Sequence, residues 1–265
     1  MPNKPNRTIK SVERACEVIE YLHKSGGGTI SELAEGVGLS VGAVHTHLAT
    51  LKQFGYIVQE GKTYKLGPQF LPLGEYVRNH SMLYKTAKEQ INKLATETNE
   101  SAHLIIEHNG RLYAMYERYG SDAVGVEYHT KKREESLTHL HCTAAGKAIL
   151  AFSDRRKLSN VLDTHGLPEL TANTITEVNA FDQELETIRE RGVAFADEEQ
   201  ILGIRAVGAP IIDADDQVLG AIAVSGPKTR LTGDYYREEL PEKVIYATNA
   251  TELNYQTYNL DNNIV

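Results

Sequence analysis

Two helix-start signals, Thr29 and Ser40, separated by a turn with two glycines, constrain the N-terminal part of this chain more than any other feature. Thr29 has Glu32 three residues on, so hydroxyl and carboxylate can each satisfy a free backbone N–H of the first turn. A short helix over 31–35 follows. Gly36-Val37-Gly38-Leu39-Ser40 then reads as a turn whose glycines accept positive φ. Ser40 caps a longer helix over 41–54, with Val44, Leu48 and Leu51 as its buried stripe and Gly55 as its end. Upstream, residues 9–22 carry Val12, Cys16, Ile19 and Leu22 at helical spacing, and Ser25-Gly26-Gly27-Gly28 stops that helix. Downstream, Tyr56-Ile57-Val58 and Thr63-Tyr64-Lys65-Leu66 flank Gln59-Glu60-Gly61-Lys62, which predicts a β-hairpin. Helix, helix, turn, helix, hairpin is the order of a winged helix-turn-helix.

A helix that reads DNA needs an apolar face for its own domain and a face of short side chains for the major groove. Beside Val44, Leu48 and Leu51, the outward face offers Ser40, Val41, Gly42, His45, Thr46 and Ala49. Ser40, His45 and Thr46 can meet base edges or phosphates; His47 and Lys52 suit flanking phosphates. The hairpin adds Lys62 and Lys65, and Arg7 and Lys10 precede the first helix. The overall charge of −8 argues against nucleic acid only until it is divided. Residues 1–80 hold nine Lys/Arg and seven Asp/Glu, whereas 81–265 hold nineteen and twenty-nine. A mildly basic head on an acidic body directs one end toward phosphate. The plain alternative is a winged helix used for protein contact.

Gly67-Pro68 opens a different stretch. Leu71, Leu73, Tyr76 and Val77 predict a linker helix with Pro72 in its first turn, where proline is tolerated. The second half alternates strands and helices. A helix is expected over 84–98, with Ile91, Leu94 and Ala95 inward. Strands over 102–107 and 111–117 flank Asn109-Gly110, a strong hairpin signal, and a further strand is expected over 123–128. An alanine-rich helix covers 143–151. Val178, Phe181, Leu185 and Ile188 mark another over 177–191, ended by Gly192. Strands over 193–196, 204–212 and 217–225 turn at Asp215-Asp216, and a last helix runs over 235–255, with a fresh start at Pro241. These elements predict one antiparallel sheet flanked by helices, so the fold class is α+β. The expected domains are 1–66 for DNA binding, 67–82 as linker helix, 83–257 for effector binding and 258–265 as a polar tail.

Several classes are excluded or set aside. No apolar run approaches the roughly 18 residues of a membrane span, and MPNKPNRTIK has no apolar core of a secretory signal. Cys16 and Cys142 lie in different domains, which speaks for a reducing, cytoplasmic setting without disulfides. Motifs of nucleotide-binding loops, serine hydrolases and zinc proteases are missing, so no enzyme is expected.

The ordered run VGLSVGAVHTHLATLKQFGYIVQEGKTYKLGPQFLPLG, LHCTAAGKAILAF and RGVAFADEEQILGIRAVGAPIIDADDQVLGAIAVSGP resembles the IclR family of transcription regulators. The resemblance covers about residues 9–255. It implies an N-terminal winged helix domain, a C-terminal effector domain related to GAF folds, and homodimers or dimers of dimers on palindromic double-stranded DNA. It implies a small catabolic metabolite as effector, without membrane partners. Mapped residue by residue, the effector pocket takes the amides of Ala144 and Ala145 and the positions Ala196, Asp197, Ala206, Ala223 and Ser225. Family members tend to carry aspartate, cysteine and serine where this chain has Ala196, Ala206 and Ala223. Only Ser225 keeps a hydroxyl, so the resemblance implies a roomier, less polar pocket suited to a ligand with an apolar or ring portion.

Three other constellations combine residues that could carry chemistry. His139-Leu140-His141-Cys142, with Asp197, Glu198 and Glu199 later in the chain, offers donors that zinc prefers. The simpler reading has His139 and His141 alternating along a strand and Cys142 buried, so no cofactor is expected. The three acids could serve a hydrolase, or could end a strand by binding neighbouring amides. Tyr113, Tyr116 and Tyr128 could line the pocket, although strand aromatics are more often core. The class-different alternatives are thus a metabolite-binding module acting through protein contacts and a hydrolase using the acidic cluster.

Overall fold

The computed structural model describes residues 7–124 and 139–262, with side chains to 258. The chain divides into two compact units, 3–80 and 81–265.

In the first unit, α1 (Lys10–Ser25), α2 (Ile30–Val37) and α3 (Val41–Gln53) precede a hairpin of β1 (Ile57–Glu60) and β2 (Thr63–Leu66) and a helix α4 (Phe70–His80). The Thr29–Glu32 capping box forms in both directions. Gly38 takes φ 64 and frees the chain to turn into Ser40, whose Oγ accepts the Ala43 N–H. Val18, Leu22, Leu33, Val44, Leu48, Ile57 and Tyr64 make the core. The inward face of α1 matches the sequence expectation only at Leu22: Val18 is buried with it, while Val12 is 55% exposed and Cys16 is exposed. Ile9-Val12-Cys16-Ile19 is an equally regular stripe on the same helix, and spacing alone cannot say which of two apolar stripes meets the core. Helix α4 likewise buries none of its residues.

In the second unit, α5 (Met82–Thr98) leads into β3 (Ser101–His108) and β4 (Arg111–Tyr119). A 3-10 turn (Leu140–Cys142) precedes α6 (Ala144–Phe152), α7 (Arg155–His165) and α8 (Val178–Arg191). Strands β5 (Ala194–Asp197), β6 (Ile204–Ile212) and β7 (Val218–Pro227) follow, then a π-type turn (Tyr235–Glu239) and α9 (Leu240–Asn262). The expected fresh start at Pro241 is not found: helical residues run unbroken from 233 through the π-type turn into α9, and the wider turn just before Pro241 is where the backbone pattern changes. The five strands form one antiparallel sheet in the order β4-β3-β7-β6-β5. One face packs on α5 and α9 through Leu104, Val207, Ile222 and Val224. The other packs on α6 and α8 through Ala194, Ala221, Ala223, Ile149 and Phe181.

Helix α7 has no counterpart in the sequence reading, although Asp154 caps it and Val161 is buried. The expected strand over 123–128 lies mostly outside the described residues, and 123–124 are not in a strand. The expected alternation of His139 and His141 along a strand gives way to the 3-10 turn, which curls back because the Thr143 hydroxyl caps α6 immediately after it. Strand β4 carries a β-bulge at Met115. Leu104 pairs with Tyr116 and Ile105 with Ala114, so one extra residue shifts the outer half of β4 and sets Glu117, not Tyr116, opposite His103.

Candidate functional site

On α3, Val41, Gly42, His45, Thr46 and Ala49 are exposed, Ser40 at its start is exposed, and His47 is half-buried. The face opposite Val44 and Leu48 is therefore free in this unit. Thr46 donates its hydroxyl proton to the Gly42 carbonyl at 3.0 Å, so its oxygen faces outward as an acceptor, suited to an exocyclic amine of adenine or cytosine. Ser40 has the reverse role: its oxygen accepts at the cap, and its proton is free for a phosphate. Between α3 and the hairpin lies an open groove of about 420 Å³ lined by His45, Ala49, Lys52, Gln53, Gln59 and Tyr64. Lys52 donates to the neutral amide oxygen of Gln59 at 2.9 Å. Lys65 instead pairs with Glu60 at 2.6 Å, which competes with a phosphate contact, whereas Lys62 is exposed. Arg7 is exposed ahead of α1.

In the second unit, strand register brings six of the seven mapped effector positions together. Ala196, Ala206 and Ser225 are consecutive partners across β5, β6 and β7, and Ala223 pairs with Gly208 one step along the same face. The start of α6 lies on that face at Gly208: a Cβ there would stand 2.8 Å from the Ala144 carbonyl carbon and 2.9 Å from the Ala145 nitrogen. Glycine is what allows the amides of Ala144 and Ala145 to approach the strand. Asp197 does not belong to this cluster. It alternates to the other face, where its carboxylate makes a two-pronged pair with Arg205 at 2.7 and 2.9 Å, and the guanidinium stacks on Tyr236. That pairing holds the Asp197 carboxyl below its ordinary range. Tyr116 is also on the α5 side, its hydroxyl donating to Asn92, and Tyr113 pairs with Ile106 on that face. Tyr128 lies outside the described residues.

Sequence reasoning missed the polar centre of this face. His103, buried on β3, binds Glu117 Oε1 through Nδ1 at 2.7 Å and Ser225 Oγ through Nε2 at 2.9 Å. The only signal was a histidine among the apolar residues Ala102, Leu104, Ile105 and Ile106, and the bulge that delivers Glu117 was not readable. Carboxylate, imidazole and hydroxyl in a line resemble a nucleophilic triad. Ser225, however, lies within a strand paired on both sides, with no sharp turn to lift its Oγ toward a substrate.

The acids after β5 divide their work. Glu198 accepts the Gly203 N–H and pairs with Lys228. Glu199 is buried and receives Lys147 Nζ at 2.6 Å, and the same nitrogen lies 3.5 Å from Glu184. Burial pushes the Glu199 carboxyl up against the opposing pull of Lys147. At the zinc candidates, His141 Nε2 donates to the Pro168 carbonyl and Cys142 Sγ to the His139 carbonyl. Burial lowers the His141 imidazole. Among the described residues, no three His, Cys, Asp or Glu converge on one point.

Comparison with known proteins decides what these two units are. Residues 11–61 match the IclR helix-turn-helix domain, and residues 75–252 match the C-terminal domain described as "Bacterial transcriptional regulator IclR C-terminal". The chain belongs to the IclR family. It is a transcription regulator with a helix-turn-helix DNA-binding domain and a C-terminal effector-binding domain. Among its IclR-family relatives is the probable HTH-type transcriptional regulator ArcR of Halobacterium salinarum, 39% identical, with 95% of each chain covered. The glycerol operon regulatory protein of Streptomyces griseus is 32% identical over 86% of this chain and 89% of its own. The crystal structure of the Thermotoga maritima IclR superposes with a TM-score of 0.70 at 26% identity, covering 92% of this chain and 98% of that one. An IclR homolog from Microbacterium hydrocarbonoxydans, in complex with 4-hydroxybenzoate, shares the fold at a TM-score of 0.78 and 17% identity, over 93% and 99% of the two chains. Among the described residues, no helix is long and apolar enough to cross a membrane.

The Gly208 contact predicts a specific defect. Gly208→Ala should displace the start of α6, cost about 1–3 kcal/mol by overpacking, and blunt any effector response while DNA binding persists. Thermal unfolding and DNA binding with and without effector check it; an unaltered response would show that α6 need not approach β6 so closely.

Proposed function

We propose that residues 1–66 bind palindromic operator DNA, that 67–82 link the two halves, and that 83–257 bind a small acid with an apolar or ring portion, leaving 258–265 as a tail. Ser40, Val41, Gly42, His45 and Thr46 enter the major groove, and Arg7, His47, Lys52, Lys62 and Lys65 meet phosphates, Lys65 less than Lys62. The observation that carries this reading is the uncovered short-side-chain face of α3 beside a groove lined by His45 and Lys52. Ala144, Ala145, Ala196, Ala206, Ala223 and Ser225 form the effector site; Asp197 supports it from the opposite face of the sheet through Arg205. The protein acts in the cytoplasm, as a regulator and not an enzyme.

It works as a homodimer. Ile9 at the N-cap of α1, Val12 on α1, and Leu71, Tyr76 and Val77 on α4 are each more than half exposed, and so many exposed apolar side chains on so small a unit favour a protein contact. A second copy fits an operator with two-fold symmetry. A ligand then needs only different affinity for two arrangements of the DNA-binding pair to alter transcription.

The deciding experiment is a gel-shift titration against DNA upstream of the protein's own gene at two salt concentrations. A discrete shift that weakens steeply with salt, and weakens further in Lys62→Ala, supports the assignment. A shift indifferent to salt, or none on any upstream fragment with or without a metabolite mixture, favours a module acting through protein contacts. The effector screen starts with 4-hydroxybenzoate and related acids.

A further inference from the structure

We propose that His103 and Glu117 are positioning residues of the effector site, which set the hydrogen-bonding role of Ser225 so that a carboxylate ligand binds with uptake of a proton at His103. The proposal rests on the effector-binding reading of this domain and names a device within it.

Glu117 is 2.7 Å from His103 Nδ1. With Glu117 ionised, its carboxylate only accepts, and Nδ1 then carries a proton whatever the charge of the ring. All variation therefore falls on Nε2, which is 2.9 Å from Ser225 Oγ. With a neutral ring, Nε2 accepts the Ser225 proton, and the serine shows the ligand space only lone pairs. With a cationic ring, Nε2–H donates to the serine oxygen, and the serine proton is released to point at a ligand. A carboxylate against Ser225 requires the second state. The proton that enters from solvent stays on Nε2, no covalent bond to the ligand forms, and the pair His103–Glu117 becomes a charge-assisted ion pair.

Position supports the coupling. Ser225 is half-exposed and His103 is buried beneath the same face. The Ala144 and Ala145 amides lie over Gly208, the strand partner of Ala223, which in turn is paired with His103. Ala196 and Ala206 extend the row from Ser225 without a polar group, so Ser225 is the one side-chain hydroxyl those positions offer. Among the described residues, Glu117 and Ser225 bond to the His103 ring, and the Tyr119 hydroxyl donates to the second oxygen of Glu117. The ionisable side chain of α6, Lys147, is engaged by Glu199 and Glu184. A purely structural cross-link of β4, β3 and β7 would hold the strands together but would not move a proton on binding.

The test is isothermal titration of the full-length protein in buffers of different ionisation enthalpy, which reads protons taken up on binding. The probes are 4-hydroxybenzoate, a set of aliphatic and aromatic carboxylates, and neutral sugars and alcohols. The expected result is carboxylate binding with uptake of up to about one proton. Ser225→Ala should weaken that binding about tenfold, as expected for losing a hydrogen bond to a charged group, and abolish the uptake. His103→Gln, which can still hydrogen-bond Ser225 and Glu117, should retain the fold by thermal melting and also lose the uptake. Carboxylate binding without proton uptake, or uptake unchanged in Ser225→Ala, overturns the proposal. Binding only of neutral compounds overturns it while the effector-domain reading survives; binding of none of the probes fails both.

Discussion

Lys147→Ala should destabilise the effector unit by about 3–5 kcal/mol, because it leaves Glu199 as an unpaired charge in a buried site. Lys147 is 1% exposed and its amine lies 2.6 Å from Glu199, with Glu184 behind it. The pair ties α6 to the segment after β5, two elements 52 residues apart in the chain. The pH dependence distinguishes this cause from simple loss of packing. Burial already holds the Glu199 carboxyl above its ordinary value, and Lys147 opposes that shift. Without the lysine, the carboxyl rises further. A group whose folded-state pKa is raised contributes stability below its unfolded value and loses it as pH rises through the folded value. The deficit of Lys147→Ala should therefore be small below the ordinary carboxyl range, where Glu199 is protonated in both states, and grow to its full size as pH rises through the raised folded-state value. Adding Glu199→Gln to Lys147→Met should recover most of it. Denaturant unfolding of the full chain, followed by circular dichroism across pH, measures this; a deficit under about 1 kcal/mol at alkaline pH would show that water reaches Glu199.

His45→Glu should weaken specific DNA binding about 100-fold or more and leave folding unchanged. The side chain is exposed on α3 and lines the groove shared with Lys52. A lost base contact costs about 1–3 kcal/mol, and a carboxylate there also repels phosphates and competes for the charge of Lys52. Exposed substitutions of this kind alter stability by about 0.5 kcal/mol or less. Fluorescence anisotropy with labelled operator, beside a thermal melt, separates the two effects. Undiminished binding would mean that α3 faces something other than DNA.

How far the sequence could be read depends on the range of the interactions involved. Thr29, Glu32, Ser40 and Gly38 act within one turn of helix, and their local chemistry sufficed to define α2 and α3. Asn109-Gly110 likewise defined the hairpin of β3 and β4. Patterns that need a partner were less legible. Helix α1 carries two apolar stripes, and only the packed domain tells them apart. The mapped alanines came from family likeness, and the strand register groups them because β5, β6 and β7 pair residue by residue. Asp197 fell away by simple alternation along a strand. His103 with Glu117 was hidden twice over, by distance in the sequence and by a bulge of one residue.

The strand order also bears on how the chain emerges from the ribosome. β7 is the middle strand, yet it is the last of the five to be made. The β3–β4 hairpin is complete about 100 residues before its neighbour exists. At about 5–20 residues per second, one edge of β3 stays open for roughly 5–20 s in the nascent chain. The small N-terminal unit has all its own elements by residue 80 and can fold within that interval. The unfinished sheet spends the same interval as an unpaired strand edge, the kind of surface that invites misassociation. Chaperone dependence in this protein should therefore belong to the effector half alone, and end when residues 218–227 arrive to close the sheet.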